Sequence, residues 1–273
     1  MIKNKVKRAF SDGRVALNGW CSTANSMMAE ILADQGYDSI TVDMQHGIVD
    51  YSETARIFQT LRASNTTPFA RVPWLEPGII MKVLDAGAYG IICPMINNQE
   101  QAERFVSYVR YPPLGTRSFG PTRALYSSGE NYFAEANDNV TCLAMIETAE
   151  AYENLRAIIT TPGIDGVYIG PADLTLGVMK GKLPPGLDRE EPEMIAVIKD
   201  IMQACNKQGI IAGIHTGSSE YAIRSVNWGF DFITLLSDVR LVAGAAKQNI
   251  SEVKAGLNIL DTTSQESDQT LSY

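Results

Sequence analysis

Eight short apolar runs recur along the chain: VALNGW (15–20), SITVDM (39–44), PFARV (68–72), GIICPM (90–95), CLAMIE (142–147), GVYIG (166–170), IIAGIH (210–215) and FITLL (232–236). Most are nearly continuous in apolar character instead of alternating, as strands are when both faces are covered. Between them lie segments of helical period: NSMMAEILADQ, SETARIFQTLRA, GIIMKVLDA, EQAERFVSYVR, AEAYENLRAII, EMIAVIKDIMQACNKQ, SEYAIRSVNW and DVRLVAGAAKQNISEVKAGL. Gly36, Gly87, Gly209 and Gly229 each close a helical segment just before the next run, where the chain needs positive φ. Alternation of this kind over about 250 residues predicts an α/β fold, a (β/α)8 TIM barrel, with its active site at the carboxyl ends of the strands. A doubly wound sheet is the competing architecture, weakened because no G-x-G-x-x-G follows the first strand.

One connection breaks the rhythm. Residues 111–140, between the helix ending near Arg110 and the strand at Cys142, are rich in Gly, Pro, Ser and aromatics. A loop that long in a compact domain is functional or forms an interface, and it is expected among the mouth loops that choose the substrate. The polar tail 261–273 is expected to be frayed. Nothing resembles an interdomain linker, so 1–273 reads as one barrel domain.

Composition narrows the function classes. The 273 residues are 45% hydrophobic and 20% charged, with no apolar run near the roughly 20 residues that cross a bilayer. The basic opening MIKNKVKRAF is followed by SDGR and not by an apolar stretch, so the cytoplasm is the expected compartment and no membrane is expected as a partner. Cys21, Cys93, Cys142 and Cys205 form no C-x-x-C pair, which argues against a zinc ribbon or a disulfide framework. A net charge of −8 argues against nucleic acid, yet one local arginine still suffices for a small anion.

In a barrel, polar residues at strand ends converge on one mouth. Here they are Trp20, Asp43, Gln45, His46, Arg71, Glu147, Asp173, His215 and Asp238. Glu147 and Asp173 follow consecutive strands, so their carboxylates can share one hard cation with water and a substrate oxygen. Arg71, in the apolar setting FARVPW, needs an anion: a substrate carboxylate, or structurally Asp43 or Glu147. In IGPADL a helix starts behind Pro171, and the amides of Ala172 and Asp173 can take a substrate carboxylate. His46 is placed to shuttle a proton, with Asp43 or Asp85 to fix its tautomer. Each residue also has a structural reading, as a helix cap, a solvated acid or a rim histidine. His215 is given no role.

The chain resembles the HpcH/HpaI aldolases of the phosphoenolpyruvate/pyruvate barrel superfamily over roughly residues 10 to 255. The shared features are GW at Gly19–Trp20, DMQHG at 43–47, ARVPW at 70–74, MKVLDAGAYGIICPM at 81–95, MIETAEAYENL at 145–155 and GVYIGPADL at 166–174. The resemblance implies a class II, metal-dependent lyase that reversibly cleaves 4-hydroxy-2-oxo acids to pyruvate and an aldehyde through a metal-bound pyruvate enolate, using Mg²⁺, Mn²⁺ or Co²⁺. It implies His46 as acid/base, Arg71 as the contact to the keto or enolate oxygen, Glu147 and Asp173 as metal ligands, and Asp43 and Asp85 as supports of the histidine. Trp20, Arg71, Ala172 and Asp173 are expected to bind substrate. A homohexamer, a trimer of dimers that exchange the last helix, is implied as well, with neighbouring subunits completing the sites. Gln45 and Met145 depart from the commoner Glu and Gln of the family. The alternatives are an oxaloacetate decarboxylase or citrate-lyase-like enzyme using the same enolate, and a non-catalytic binding barrel. A Schiff-base aldolase is disfavoured because Lys82, Lys199, Lys207, Lys247 and Lys254 fall on predicted helices, and Lys180 and Lys182 in a loop.

Overall fold

The computed structural model describes residues 4–257, so the expected polar tail lies outside the described residues. Eight parallel strands close on themselves in chain order. They are β1 (Ala16–Cys21), β2 (Ser39–Asp43), β3 (Thr67–Arg71), β4 (Gly90–Cys93), β5 (Thr141–Ile146), β6 (Gly166–Ile169), β7 (Ile211–Thr216) and β8 (Phe232–Leu235). The expected barrel is therefore present, and pairing of Ala16 with Phe232 closes its seam. Strand ends differ from the apolar runs by a residue or two, because hydrophobicity reports burial while strand ends are set by hydrogen bonding.

The helices fill the intervals: α1 (Lys5–Ser11), α2 (Ser26–Ala33), α3 (Tyr51–Leu61), α4 (Pro77–Asp85), α5 (Gln99–Val109), α6 (Thr122–Ser128), α7 (Tyr132–Asn139), α8 (Ala149–Glu153), α9 (Leu155–Ile159), α10 (Pro171–Val178), α11 (Pro192–Gln208), α12 (Ser219–Trp228) and α13 (Asp238–Gly256). The anticipated glycines Gly36, Gly87, Gly209 and Gly229 all have positive φ. The single helix expected over 149–159 is two short ones meeting at Asn154, whose Nδ2 donates to the Asn97 carbonyl.

Outward strand residues such as Val42, Ala70, Ile91, Ala144 and Val167 join the helices in one large apolar cluster. Inward residues, two apart along each strand, form a second: Ala16, Trp20, Phe69, Ile92, Leu143, Met145, Tyr168, Ile211 and Phe232. Helix α1, absent from the sequence expectations, plugs the amino-terminal end of this interior with Val6 and Ala9. Its cap Asn4 also donates to Tyr89 O, Asn139 O and Thr141 Oγ1. Midway up, a polar belt crosses the barrel. Asn18 Oδ1 accepts from Ser39 and Thr41, and Asn18 Nδ2 donates to Thr234 Oγ1, which Tyr168 Oη also reaches at 2.7 Å. A buried belt with its partners in place fixes register where apolar packing alone would not.

The connection 111–140 overturns its expected position. It carries α6 and α7 and joins α5 to β5, so it lies at the amino-terminal face, away from the mouth. Its side chains confirm this: Arg117 binds Asp85 at the end of α4, and Arg123 caps the carbonyls of Ala86 and Phe58. The composition suggested a mouth loop; the alternation of strand and helix decides otherwise.

Close packing of the interior gives a direct test. A Cβ on Gly90 would stand 2.2 Å from the buried Phe69 ring. Gly90→Ala is expected to cost about 1–3 kcal/mol in denaturant unfolding, as overpacked cores do. An unchanged midpoint would contradict the placement of Phe69 inside the barrel.

Candidate active site

The carboxyl ends of the strands open onto a cavity of 540 Å³. Of the residues expected there, Trp20, Asp43, His46, Arg71, Glu147, Ala172, Asp173 and His215 line it, whereas Gln45 and Asp238 do not. The period-2 alternation explains why: Trp20 continues the inward series of β1, Asp43 that of β2 and Arg71 that of β3.

Asp43 is the hub. Its carboxylate accepts from Arg71 Nε at 2.8 Å and Nη2 at 2.6 Å, from Trp20 Nε1 at 3.2 Å, and from the amides of Gln45 and His46 at 3.1 and 3.2 Å. Burial alone would raise the Asp43 carboxyl, but the Arg71 fork and the two amides outweigh it and hold it below its ordinary value. The structural partner of Arg71 is therefore Asp43, which takes Nε and Nη2 and leaves Nη1 outside the pair. The Arg71 guanidinium also lies 4.9 Å from the Trp20 ring. Removing either partner of such a largely desolvated pair costs about 3–5 kcal/mol, so this cluster is rigid.

Asp43 addresses the backbone amide of His46, so it shapes the loop that carries the exposed imidazole. Asp85 lies elsewhere in the chain: it ends α4 at the opposite face of the barrel and binds Arg117 Nη2 at 2.6 Å, so it is not brought to the mouth of its own barrel, and the expected support of His46 would have to come from a neighbouring subunit. The reason is topological: a helix returning antiparallel to its strand finishes at the amino-terminal face.

Glu147 follows β5 and is only 2% exposed. Its Oε1 accepts from Met95 N at 2.8 Å, an amide turned inward by a left-handed residue (φ 56°) just past β4. Burial pushes the Glu147 carboxyl up to about 7, the Met95 amide opposes this, and the charge of Asp173 adds to it. A Cβ at Gly170 would stand 2.8 Å from Glu147 Oε2, so glycine there keeps this oxygen clear. Asp173 is exposed, in the first turn of α10. No side chain caps α10, and its first intrahelical bond runs from Leu174 N to Gly170 O at 3.0 Å, beyond the amides of Ala172 and Asp173.

A buried carboxylate with a second acid beside it in a recess suits a hard divalent cation. Among the described residues no group of three or more Asp, Glu, His or Cys side chains forms a closed metal cage. Besides the saturated Asp43, Glu147 and Asp173 are the carboxylates lining the cavity that could hold a cation.

Several lining residues had gone unassigned. His215 Nδ1 lies 3.1 Å from Tyr168 Oη, and its ring meets Trp20 edge-on at 4.9 Å. Burial, then the charge of Arg71, lowers the His215 pKa to about 3, so the ring is neutral. Tyr168 was legible from the inward alternation of β6. Arg240 was legible from its place directly after β8, although periodicity assigns it only to a helix. Leu176 of α10, with Pro185 and Leu187 of the following loop, supplies apolar lining that left no sequence signal.

Comparison with known proteins agrees with this geometry. Residues 17–245 match the family model described as HpcH/HpaI aldolase/citrate lyase. The chain is 40% identical to a hydroxypyruvate/pyruvate aldolase from Rhizorhabdus wittichii, covering 92% of this chain and 99% of the relative. It is 32% identical to a 5-keto-4-deoxy-D-glucarate aldolase from Klebsiella pneumoniae, covering 91% and 96%. Among solved structures, an HpcH/HpaI aldolase/citrate lyase family protein from Burkholderia cenocepacia superposes with a TM-score of 0.85 at 28% identity, covering 92% of this chain and all of that one. With a closed eight-stranded barrel, an acid pair at the mouth and relatives of this kind, the chain belongs to the HpcH/HpaI aldolase/citrate lyase family and is an aldolase of that type.

Proposed function

We propose that the protein reversibly cleaves 4-hydroxy-2-oxo acids to pyruvate and an aldehyde with the help of a divalent cation, Mg²⁺, Mn²⁺ or Co²⁺, held by Glu147 and Asp173. The observation that carries this reading is the convergence in one cavity of a buried and an exposed carboxylate, a half-occupied arginine and two free helix amides. When bound, the cation supplies Lewis acidity that polarises the keto group and favours negative charge on its oxygen.

The chain's own residues do the rest. The amides of Ala172 and Asp173, at the positive end of α10, take the carboxylate of the keto acid. Arg71 Nη1 faces the keto oxygen, and the Asp43 fork keeps that donor from swinging away. In cleavage His46 accepts the 4-hydroxyl proton as the C3–C4 bond breaks, the bonding electrons pass into the pyruvate enolate, and a proton is then returned to C3. Trp20 and Met145 exclude water on the inner side. Asp43 acts here as a positioning residue.

The same reading includes an assembly of six, a trimer of dimers that exchange α13. Along that helix only Asp238 is buried, while Val239, Val242, Ile250 and Val253 are about half exposed or more. A 19-residue amphipathic helix left uncovered along its own barrel needs another surface. The four cysteines are free and buried, which suits a reducing compartment, and we place the enzyme in the cytoplasm.

Two outcomes are expected. In D₂O the pyruvate methyl protons should exchange with Mg²⁺, Mn²⁺ or Co²⁺ and stop exchanging with chelator; His46→Ala should slow exchange roughly 100- to 10,000-fold while Mn²⁺ still binds. Undiminished exchange in that variant removes His46 from its role, and none in the wild type favours an inert barrel. By light scattering the protein should have six times the 29.8 kDa chain mass, and Val242→Glu with Ile250→Glu should reduce it. A wild-type monomer would contradict the exchanged helix.

A further inference from the structure

The carboxylate of Glu147 is held from outside its own strand. Between β4 and α5 the chain turns through Met95 in the left-handed region and sends the Met95 amide to Glu147 Oε1 at 2.8 Å. Two residues on, Asn97 makes a second tie to the same segment: its Oδ1 accepts from Thr148 Oγ1 at 2.5 Å, and Thr148 directly follows Glu147. Asn97 is itself pinned through its backbone, the amide donating to Gln101 Oε1 at 2.6 Å and the carbonyl accepting from Asn154 Nδ2 at 2.9 Å. The Thr148 hydroxyl has a separate local task, accepting from Ala151 N at 2.9 Å as the cap of α8, and that task needs no Asn97. The same stretch of backbone touches α10, the helix of Asp173. A Cβ at Gly177 would stand 2.9 Å from Ala149 N and 3.3 Å from Thr148 Cα, so α10 rests directly on the main chain that follows Glu147.

We propose that Asn97 is a positioning residue for the cation site: through Thr148 it fixes the backbone between Glu147 and α10, so that the spacing of Glu147 and Asp173 is set before a cation arrives. This rests on the aldolase reading and adds to it the residue that prepares the two carboxylates. The two ties have different tasks. The Met95 amide engages Oε1, and Oε2 stays beside Gly170, where a Cβ would stand 2.8 Å from it. The bond between Asn97 and Thr148 holds the main chain from which that carboxylate projects, and the close approach at Gly177 relays this position to the helix of Asp173. Acids that had to be ordered on arrival of the cation would bind it more weakly, because the lost freedom opposes binding. Groups that orient metal ligands are worth about 10- to 100-fold in metal affinity without touching the metal.

Mn²⁺ binding is the direct readout, followed by electron paramagnetic resonance of the free ion during titration, which separates the number of sites from their affinity. Unfolded protein lowers the first; a loosened site changes the second. Asn97→Ala removes the acceptor but leaves the α8 cap, and it should weaken Mn²⁺ binding roughly 10- to 100-fold with the wild-type number of sites retained. Thr148→Ser, which keeps the hydroxyl, should bind as the wild type does. Thr148→Val should lose about as much as Asn97→Ala, and the double variant no more than the larger single loss, because both break one bond. Should Asn97→Ala lose sites instead, Thr148→Val against Thr148→Ser makes the same comparison. Wild-type affinity in Asn97→Ala, or losses that add in the double variant, overturns the assignment, while loss of binding in Glu147→Gln leaves the cation reading standing. If Glu147→Gln binds Mn²⁺ as tightly as the wild type, the cation reading and this extension fall together.

Discussion

The mouth of this barrel depends on one carboxylate, that of Asp43 at the end of β2, which accepts five hydrogen bonds from the ends of the two neighbouring strands, β1 and β3, and from the loop after β2. Through it Trp20 of β1 and Arg71 of β3 are locked side by side, and the backbone of His46 is held at the rim. The price of burying this acid is met by a bidentate arginine and two amides, so the cluster is both desolvated and fully partnered. Rigidity here matters because the other side of the cavity is in the opposite condition. Glu147 is buried with one amide donor and a second acid nearby, and its carboxyl is pushed up to about 7. A saturated acid and an undersupplied one line the same cavity; the first is scaffold, and the second is where the proposed cation would be held.

Much of this was legible in the sequence, for reasons that can be named. Eight apolar runs marked the strands because strands enclosed on both faces have little room for polar residues. Where a polar residue does occur near the carboxyl end of such a run, as at Asp43, Arg71 or Glu147, burial makes it conspicuous, and strand polarity sends it to the mouth. Gly170–Asp173 was readable because a proline at the first helical position announces a helix start.

What was misread depended on long-range placement. Asp85, expected to support the histidine, is carried by the return direction of α4 to the other face of its own barrel, beside Arg117, a placement that strand-end reasoning does not give. Residues 111–140 had the composition of a functional loop, but their place between a helix and the next strand puts them with Asp85. Arg240 was legible only from its place soon after β8, since its helical periodicity says nothing of the first turn lining the cavity. His215 left no signal for its role, because the hydroxyl it meets comes from Tyr168 of another strand.

The central claim is that Glu147 and Asp173 close on a single divalent cation that also binds the keto acid. Anomalous diffraction from crystals grown with Mn²⁺ and pyruvate tests it most directly. The account predicts one manganese peak within coordinating distance of both carboxylates, with the pyruvate carboxylate on the amides of Ala172 and Asp173. Manganese bound elsewhere, or the two side chains turned apart with pyruvate outside this cavity, would contradict it.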